Sequence, residues 1–218
     1  MTKISERGMI FNAEMVRALL DGRKTQTRRP IKWKQTRFTE IGEREDGSKW
    51  LWSDDAEHAC DFWHPCPFGA VGDRIWVRET FCTVDDTQYG GGKWVDYRAT
   101  PKFEASHPAG WDCAPNDAEA LKWRPSIHMP RWASRILLEI TDVRVERLNA
   151  ISQEDAQAEG MELTGWRPTY SDPDSGGEVL TPYDNFAQLW ESIYGEESWK
   201  ANPWVWVIEF KRVEGGAA

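Results

Sequence analysis

The chain has 218 residues, with 27 Lys and Arg against 36 Asp and Glu, a net charge of −9 and a pI near 5.1. Charged residues at 29% and hydrophobic residues at 40% describe a globular chain able to bury a core, and exclude a disordered or membrane-embedded one. No apolar run approaches the ~20 residues of a membrane-crossing helix, no signal-peptide pattern opens the sequence, and the acidic total argues against a nucleic-acid polymer as partner. The expectation is a single cytoplasmic domain over residues 1–218.

In chain order, Asn12 to Gly22 reads as a short helix. Asn12 suits the N-cap, Met15, Val16, Leu19 and Leu20 form an apolar face, and Gly22 suits the stop. Thr25 to Arg29 follows as an extended segment closed by Pro30. Residues 33–70 are rich in Trp, charge, Gly and Pro with weak periodicity, and read as a long insertion. Within it His58, Cys60, His64 and Cys66 offer four zinc-type ligands in nine residues. Structural zinc sites use separated ligand pairs, so a loop with incidental His and Cys is the favoured reading and no metal is expected. The four cysteines (Cys60, Cys66, Cys82, Cys113) are too few and too irregular for a disulfide scaffold.

Gly72-Asp73 signals a turn before a strand from Arg74 to Phe81, in which Ile75 and Val77 alternate with Trp76 and Arg78. Residues 85–128 are again irregular, a second insertion. Arg135 to Arg147 reads as a strand. Ile136, Leu138 and Ile140 share one parity and Val143 and Val145 the other, which predicts a bulge or bend near Thr141-Asp142. Ser152 to Asp155 resembles a capping box, with Ile151 placed to staple against Ala156 and a helix running to Glu159. Tyr183 to Tyr194 is an amphipathic helix, and Trp204 to Val213 a final strand. Short strands, two or three short helices and no βαβ rhythm predict an α+β chain built on a small mixed β-barrel carrying the two insertions. Fourteen tryptophans are scattered through it. Most must be structural, and one or two lining a pocket would suffice to stack a nucleobase.

The charge is segregated. From Arg17 to Arg37 eight Lys and Arg stand against Asp21 alone, a net +7, so the remainder of the chain carries −16. The segment Gly22-Arg-Lys-Thr-Gln-Thr-Arg-Arg29 interleaves two hydroxyls with cations after a glycine turn. A lysine among arginines has its pKa lowered and can act as a general base for a hydroxyl, while arginines hold a polar or anionic substrate.

These residues carry a resemblance. Gly22-Arg-Lys-Thr-x-Thr-x-Arg29, Gly72-Asp73-Arg-Ile-Trp-Val-Arg-Glu79, Asp155-Ala-Gln-Ala-Glu-Gly-Met161 and Val207-Ile-Glu-Phe-Lys211 stand in the order found in ASCH-domain proteins, which the chain resembles. The resemblance implies a PUA-like barrel. Among ASCH proteins, the chain is similar to the bacterial N4-acetylcytidine amidohydrolases. That likeness implies Lys24 as proton acceptor, Thr27 as nucleophile and Glu159 as proton donor, with Thr25 and Glu79 as alternatives for the last two roles. Arg23, Thr25, Arg28, Arg29, Glu79 and Trp76 are the candidate substrate-binding residues. A nucleoside is the expected partner, and no cofactor is needed. A non-enzymatic RNA-binding module and a ribonuclease are the competing readings. In a regular strand Lys24 and Thr27 point to opposite faces, so the motif must twist or start in the turn.

Overall fold

A computed structural model describes residues 4–32, 39–55, 60–85, 87, 91–102, 122–161 and 181–213. His58 and Cys113 lie outside these, as do Trp33, Trp111 and Trp166. The described residues form an α+β fold in two compact units. One comprises residues 1–21, 73–139 and 212–218, the other 22–72 and 140–211. Among the described residues no helix is long and apolar enough to cross a membrane.

In the first unit, β1 (Glu6–Ile10) pairs in parallel with β6 (Arg74–Arg78), and β6 pairs antiparallel with the start of β9 (Leu137–Arg147). The close β1–β6 approach needs Gly8, because a Cβ there would meet the Trp76 ring at 2.6 Å. Between these strands α1 (Ala13–Leu20) follows the sequence pattern. Asn12 caps it by accepting from Met15 N–H, and Met15, Val16, Ala18 and Leu19 are buried. The segment Arg74 to Phe81, expected as one strand, is two. β6 stops at Arg78, and β7 (Phe81–Asp85) turns away to form a hairpin with β8 (Lys93–Tyr97), a strand hidden in the second insertion.

In the second unit β10 (Trp204–Arg212) pairs antiparallel with β2 (Gln26–Pro30), Ile208 opposite Thr27 and Trp206 opposite Arg29. Behind them α2 (Gln153–Ala158) and α3 (Pro182–Tyr194) enclose a core of Leu148, Ile151, Ala156, Phe186, Trp190, Val205 and Val207. Ile151 and Ala156 thus meet in one cluster. The full capping box belongs to α3, not α2: Thr181 accepts from Asp184 N–H and the Asp184 carboxylate accepts from Thr181 N–H. At α2 only Ser152 caps, and the Asp155 carboxylate is used elsewhere. Within the first insertion the described residues include an antiparallel sheet, β3 (Thr39–Glu43), β4 (Lys49–Asp55) and β5 (Cys60–Trp63). Its period escapes a sequence reading because Trp50, Leu51 and Trp52 make both parities of β4 apolar.

The expected barrel is corrected. The main sheet has the order β1-β6-β9-β10-β2, and among the described residues no sheet closes on itself. β2 is a terminal strand of the sheet, and the residues just before it meet the end of α2, where Thr25 N–H donates to Ala158 O and Lys24 bridges Glu159. β9 runs as one strand through Thr141-Asp142, where a bulge or bend is expected. What changes is the company of its side chains, from buried Leu138 and Ile140 to the ion-pairing Asp142, Arg144 and Glu146.

The α3 cap gives a direct test of this packing. Thr181→Ala is expected to lower unfolding free energy by about 1 kcal/mol in urea titrations, with Thr181→Ser close to wild type.

Candidate functional site

β2 is entered from a turn at Gly22, whose φ of +76° is the left-handed conformation glycine takes without strain. The neighbouring α2 ends in a Schellman arrangement. Gly160, at φ +94°, donates to Gln157 O, and Met161 donates to Ala156 O. This sharp stop leaves Glu159 as the C-cap with its backbone still helical, beside the entry to β2.

There the Lys24 ammonium donates to Glu159 Oε2 at 2.6 Å and to the Glu159 backbone oxygen at 2.8 Å. The two side chains are 0% and 2% exposed. The other carboxylate oxygen, Oε1, lies 3.4 Å from Arg28 Nη1. Arg28 is as deeply buried, and its Nη2 donates to Asp155 Oδ2 at 3.0 Å and Glu146 Oε2 at 3.2 Å. Arg144 ties the outer carboxylates together, pairing with Asp155, Glu146, Asp142 and Glu209. Gln26 completes the network by donating to Asp155 O at 2.7 Å.

Burial is the largest influence on Lys24 and pushes its pKa below the ordinary lysine value. Glu159 pulls it back up, and Arg29 and Arg28 push it down again. The direction matches the expectation, but its main cause is desolvation rather than the neighbouring arginines. Lys24 precedes β2, so the motif does begin outside the regular strand.

The remaining candidates are placed as follows. Thr27 is 2% exposed on β2 between Gln26 and Arg28. Strand alternation sends Gln26 and Arg28 to the α2 side and Thr27 and Arg29 to the other face. On that second face Trp206 lies opposite Arg29, and the ring of Trp50 meets it edge-on at 5.0 Å. Arg29 nevertheless acts on Lys24, so the lysine is sensed from both faces. Thr25 is exposed, and so is Arg23, which donates to Gly160 O at 3.1 Å.

Glu79 and Trp76 belong to the other unit. Glu79 is buried in a two-pronged pair with Arg135, both contacts 2.9 Å; burial pushes its pKa up and Arg135 restrains the rise. Trp76 has the Arg78 guanidinium over its ring. The structure therefore joins Lys24, Arg28 and Glu159, sets Thr27 within the same strand, and gives Glu79 a partner of its own. Of the proposed zinc ligands, His64 hydrogen-bonds Ser53 Oγ at 2.7 Å and Cys66 is buried. Among the described residues no group of three His, Cys, Asp or Glu side chains is arranged to hold a metal.

Asp155, Glu146, Arg144 and Gln26 are absent from the sequence-based site. Asp155 looks like a capping residue, and the charged run Asp142, Arg144, Glu146 on alternate positions of β9 was the available signal. No family model matches the chain, and neither a curated protein nor a solved structure is significantly similar to it.

Lys24→Met removes one partner of a buried pair and is expected to cost about 3 kcal/mol of stability. The folded-state pKa of Lys24 lies below its unfolded value of 10.5, so between the two the unfolded chain binds more protons. Stability conferred at this position therefore rises with pH through that window. Urea titrations from neutral pH to about pH 10 should show that rise in wild type relative to Lys24→Met.

Proposed function

We propose that the chain is an amidohydrolase removing the acyl group from the exocyclic amine of N4-acylated cytidine or a related modified nucleoside. The observation that supports this reading is the buried Lys24–Glu159 pair, 2.6 Å apart at the start of the Lys-Thr-x-Thr segment. A lysine whose ammonium is disfavoured by burial is a competent base, and the adjoining carboxylate is placed to receive its proton and pass it on.

The reaction balances with these groups alone. In its unprotonated form Lys24 takes the hydroxyl proton as Thr27 Oγ attacks the acyl carbonyl carbon, and the carbonyl electrons move onto oxygen. Thr27 lies on the face of β2 away from Glu159, so this step requires the entry to β2 to turn Thr27 toward Lys24. The exposed Thr25 beside Lys24 is the alternative nucleophile. The proton passes from Lys24 to Glu159. As the tetrahedral adduct collapses, the C–N bond breaks and the cytosine amine takes that proton. Water then attacks the Thr27 ester, its proton follows the same route to Thr27 Oγ, and the carboxylic acid leaves. Lys24 and Glu159 end in the protonation states in which they began.

An RNA-gripping module uses outward cations to neutralise phosphates. Lys24 and Arg28, at the centre of the basic segment, are instead covered and spent on carboxylates. That internal use favours the amidohydrolase over the binding module.

Purified protein incubated with N4-acetylcytidine is expected to release cytidine. Thr27→Ala and Glu159→Gln should each lower kcat by about 10²-fold or more. Retention of full activity by Thr27→Ala, with loss in Thr25→Ala, would move the nucleophile two residues back. No release by wild type would overturn the reading.

A further inference from the structure

His64 belongs to the run of His and Cys residues in the first insertion, and the proposed reaction makes no use of it. Its Nε2 lies 2.7 Å from Ser53 Oγ. A serine hydroxyl is a weak nucleophile on its own, and an imidazole within hydrogen-bond reach is what activates it.

The small sheet brings the two together. β4 and β5 run antiparallel, with Ser53 opposite Phe62 and Trp52 opposite Trp63. Alternation puts Leu51, Ser53, Phe62 and His64 on one face, and Trp50, Trp52 and Trp63 on the other. Ser53 and His64 are thus diagonal neighbours across the strands, a spacing that a long side chain can bridge. Trp50 meets Trp206 from the opposite face, so the pair is separate from the Thr27 side of β2 and β10.

The imidazole is held in place by the protein itself. His64 N–H donates to Leu51 O at 2.9 Å, and the His64 carbonyl accepts from Trp50 Nε1 at 2.7 Å. The Phe62 ring meets the imidazole edge-on, with centroids 4.8 Å apart, and Pro65 stiffens the chain that follows. The backbone ladder already joins β4 to β5, so the sheet does not depend on the side-chain bond. Ser53 and His64 are half-buried, and Phe62 beside them is 51% exposed. A fixed base, an accessible hydroxyl and an open apolar ring together suit a substrate with a reactive carbonyl and an apolar acyl group.

We propose that Ser53 and His64 form a second nucleophile–base pair, one that cleaves carboxylic esters of small apolar acids. Ser53 Oγ attacks the ester carbonyl carbon while its proton passes to His64 Nε2, which requires the tautomer protonated on Nδ1. The tetrahedral adduct collapses, the C–O bond to the alcohol breaks, and the alcohol leaves with that proton. Water then attacks the Ser53 ester and gives a proton to His64 Nε2. The carboxylic acid departs as that proton returns to Ser53 Oγ. None of these steps uses Lys24, Thr27 or Glu159, so the proposal stands or falls apart from the amidohydrolase.

The test follows p-nitrophenyl acetate hydrolysis by full-length wild type, Ser53→Ala and His64→Gln. A fluorophosphonate ester marks the nucleophile for peptide mapping in the same proteins. Wild type should hydrolyse the acetate and take the phosphonyl group on Ser53, and Ser53→Ala should lose both. Glutamine can still hydrogen-bond the hydroxyl but cannot accept its proton. In His64→Gln both rates should therefore fall by about 10²-fold. Should Ser53→Ala fail to fold, His64→Gln decides. Phosphonyl label on Thr27 or another residue with Ser53 unmodified, or undiminished rates in His64→Gln, overturns the proposal.

Discussion

Everything in the second unit's charged cluster depends on one carboxylate shared between two cations out of reach of water. Glu159 satisfies Lys24 through one oxygen and faces Arg28 with the other, and neither cation has solvent to fall back on. Burying such charges costs several kcal/mol per ion unless their partners are close and well aimed. The surrounding architecture supplies that aim. The Schellman stop of α2 fixes the Glu159 backbone, the left-handed Gly22 turns the chain toward it, and the Lys24–Glu159 bridge locks the two segments in register.

The main sheet is open among the described residues, with β2 at one side of it. β2 pairs with β10, and the residues just before it meet the last turn of α2. The Lys24–Arg28 segment therefore sits where strand pairing ends. Backbone groups there are held by a helix terminus, and the side chains before and after Thr25 face different neighbours. Such an edge can carry a lysine at the mouth of the strand without placing it in the hydrophobic core. The first insertion contributes its own small sheet, and its Trp50 packs edge-on against Trp206 on the Thr27 face of the β2–β10 pair.

Much of this was legible in the sequence, and the misses have physical causes. The α1 cap at Asn12, the α2 and α3 helices and the last strand declare themselves through capping residues and amphipathic spacing, which are local properties. Lys24, Arg28 and Glu159 were singled out, and they do meet. The sequence shows the Arg28 cation without its partners. Those partners, Glu146 and Asp155, lie more than a hundred residues away along the chain. β4 went unread because tryptophan is apolar enough to erase the two-residue period. The barrel was an inference from short strands, and closure depends on what meets the edge of β2, which no local pattern records. The parity change in β9 marks where side chains pass from core to ion pairs.

The central claim is that Lys24 serves as a base held beside Glu159. It is tested most directly by measuring turnover of N4-acetylcytidine by wild type and by Lys24→Arg. Arginine keeps the positive charge and can still donate to Glu159, but it does not give up its proton. Wild type should release cytidine, and a folded Lys24→Arg should be slower by about 10²-fold or more. Equal rates for the two proteins, or no release by wild type at any pH up to about 10, would contradict the account.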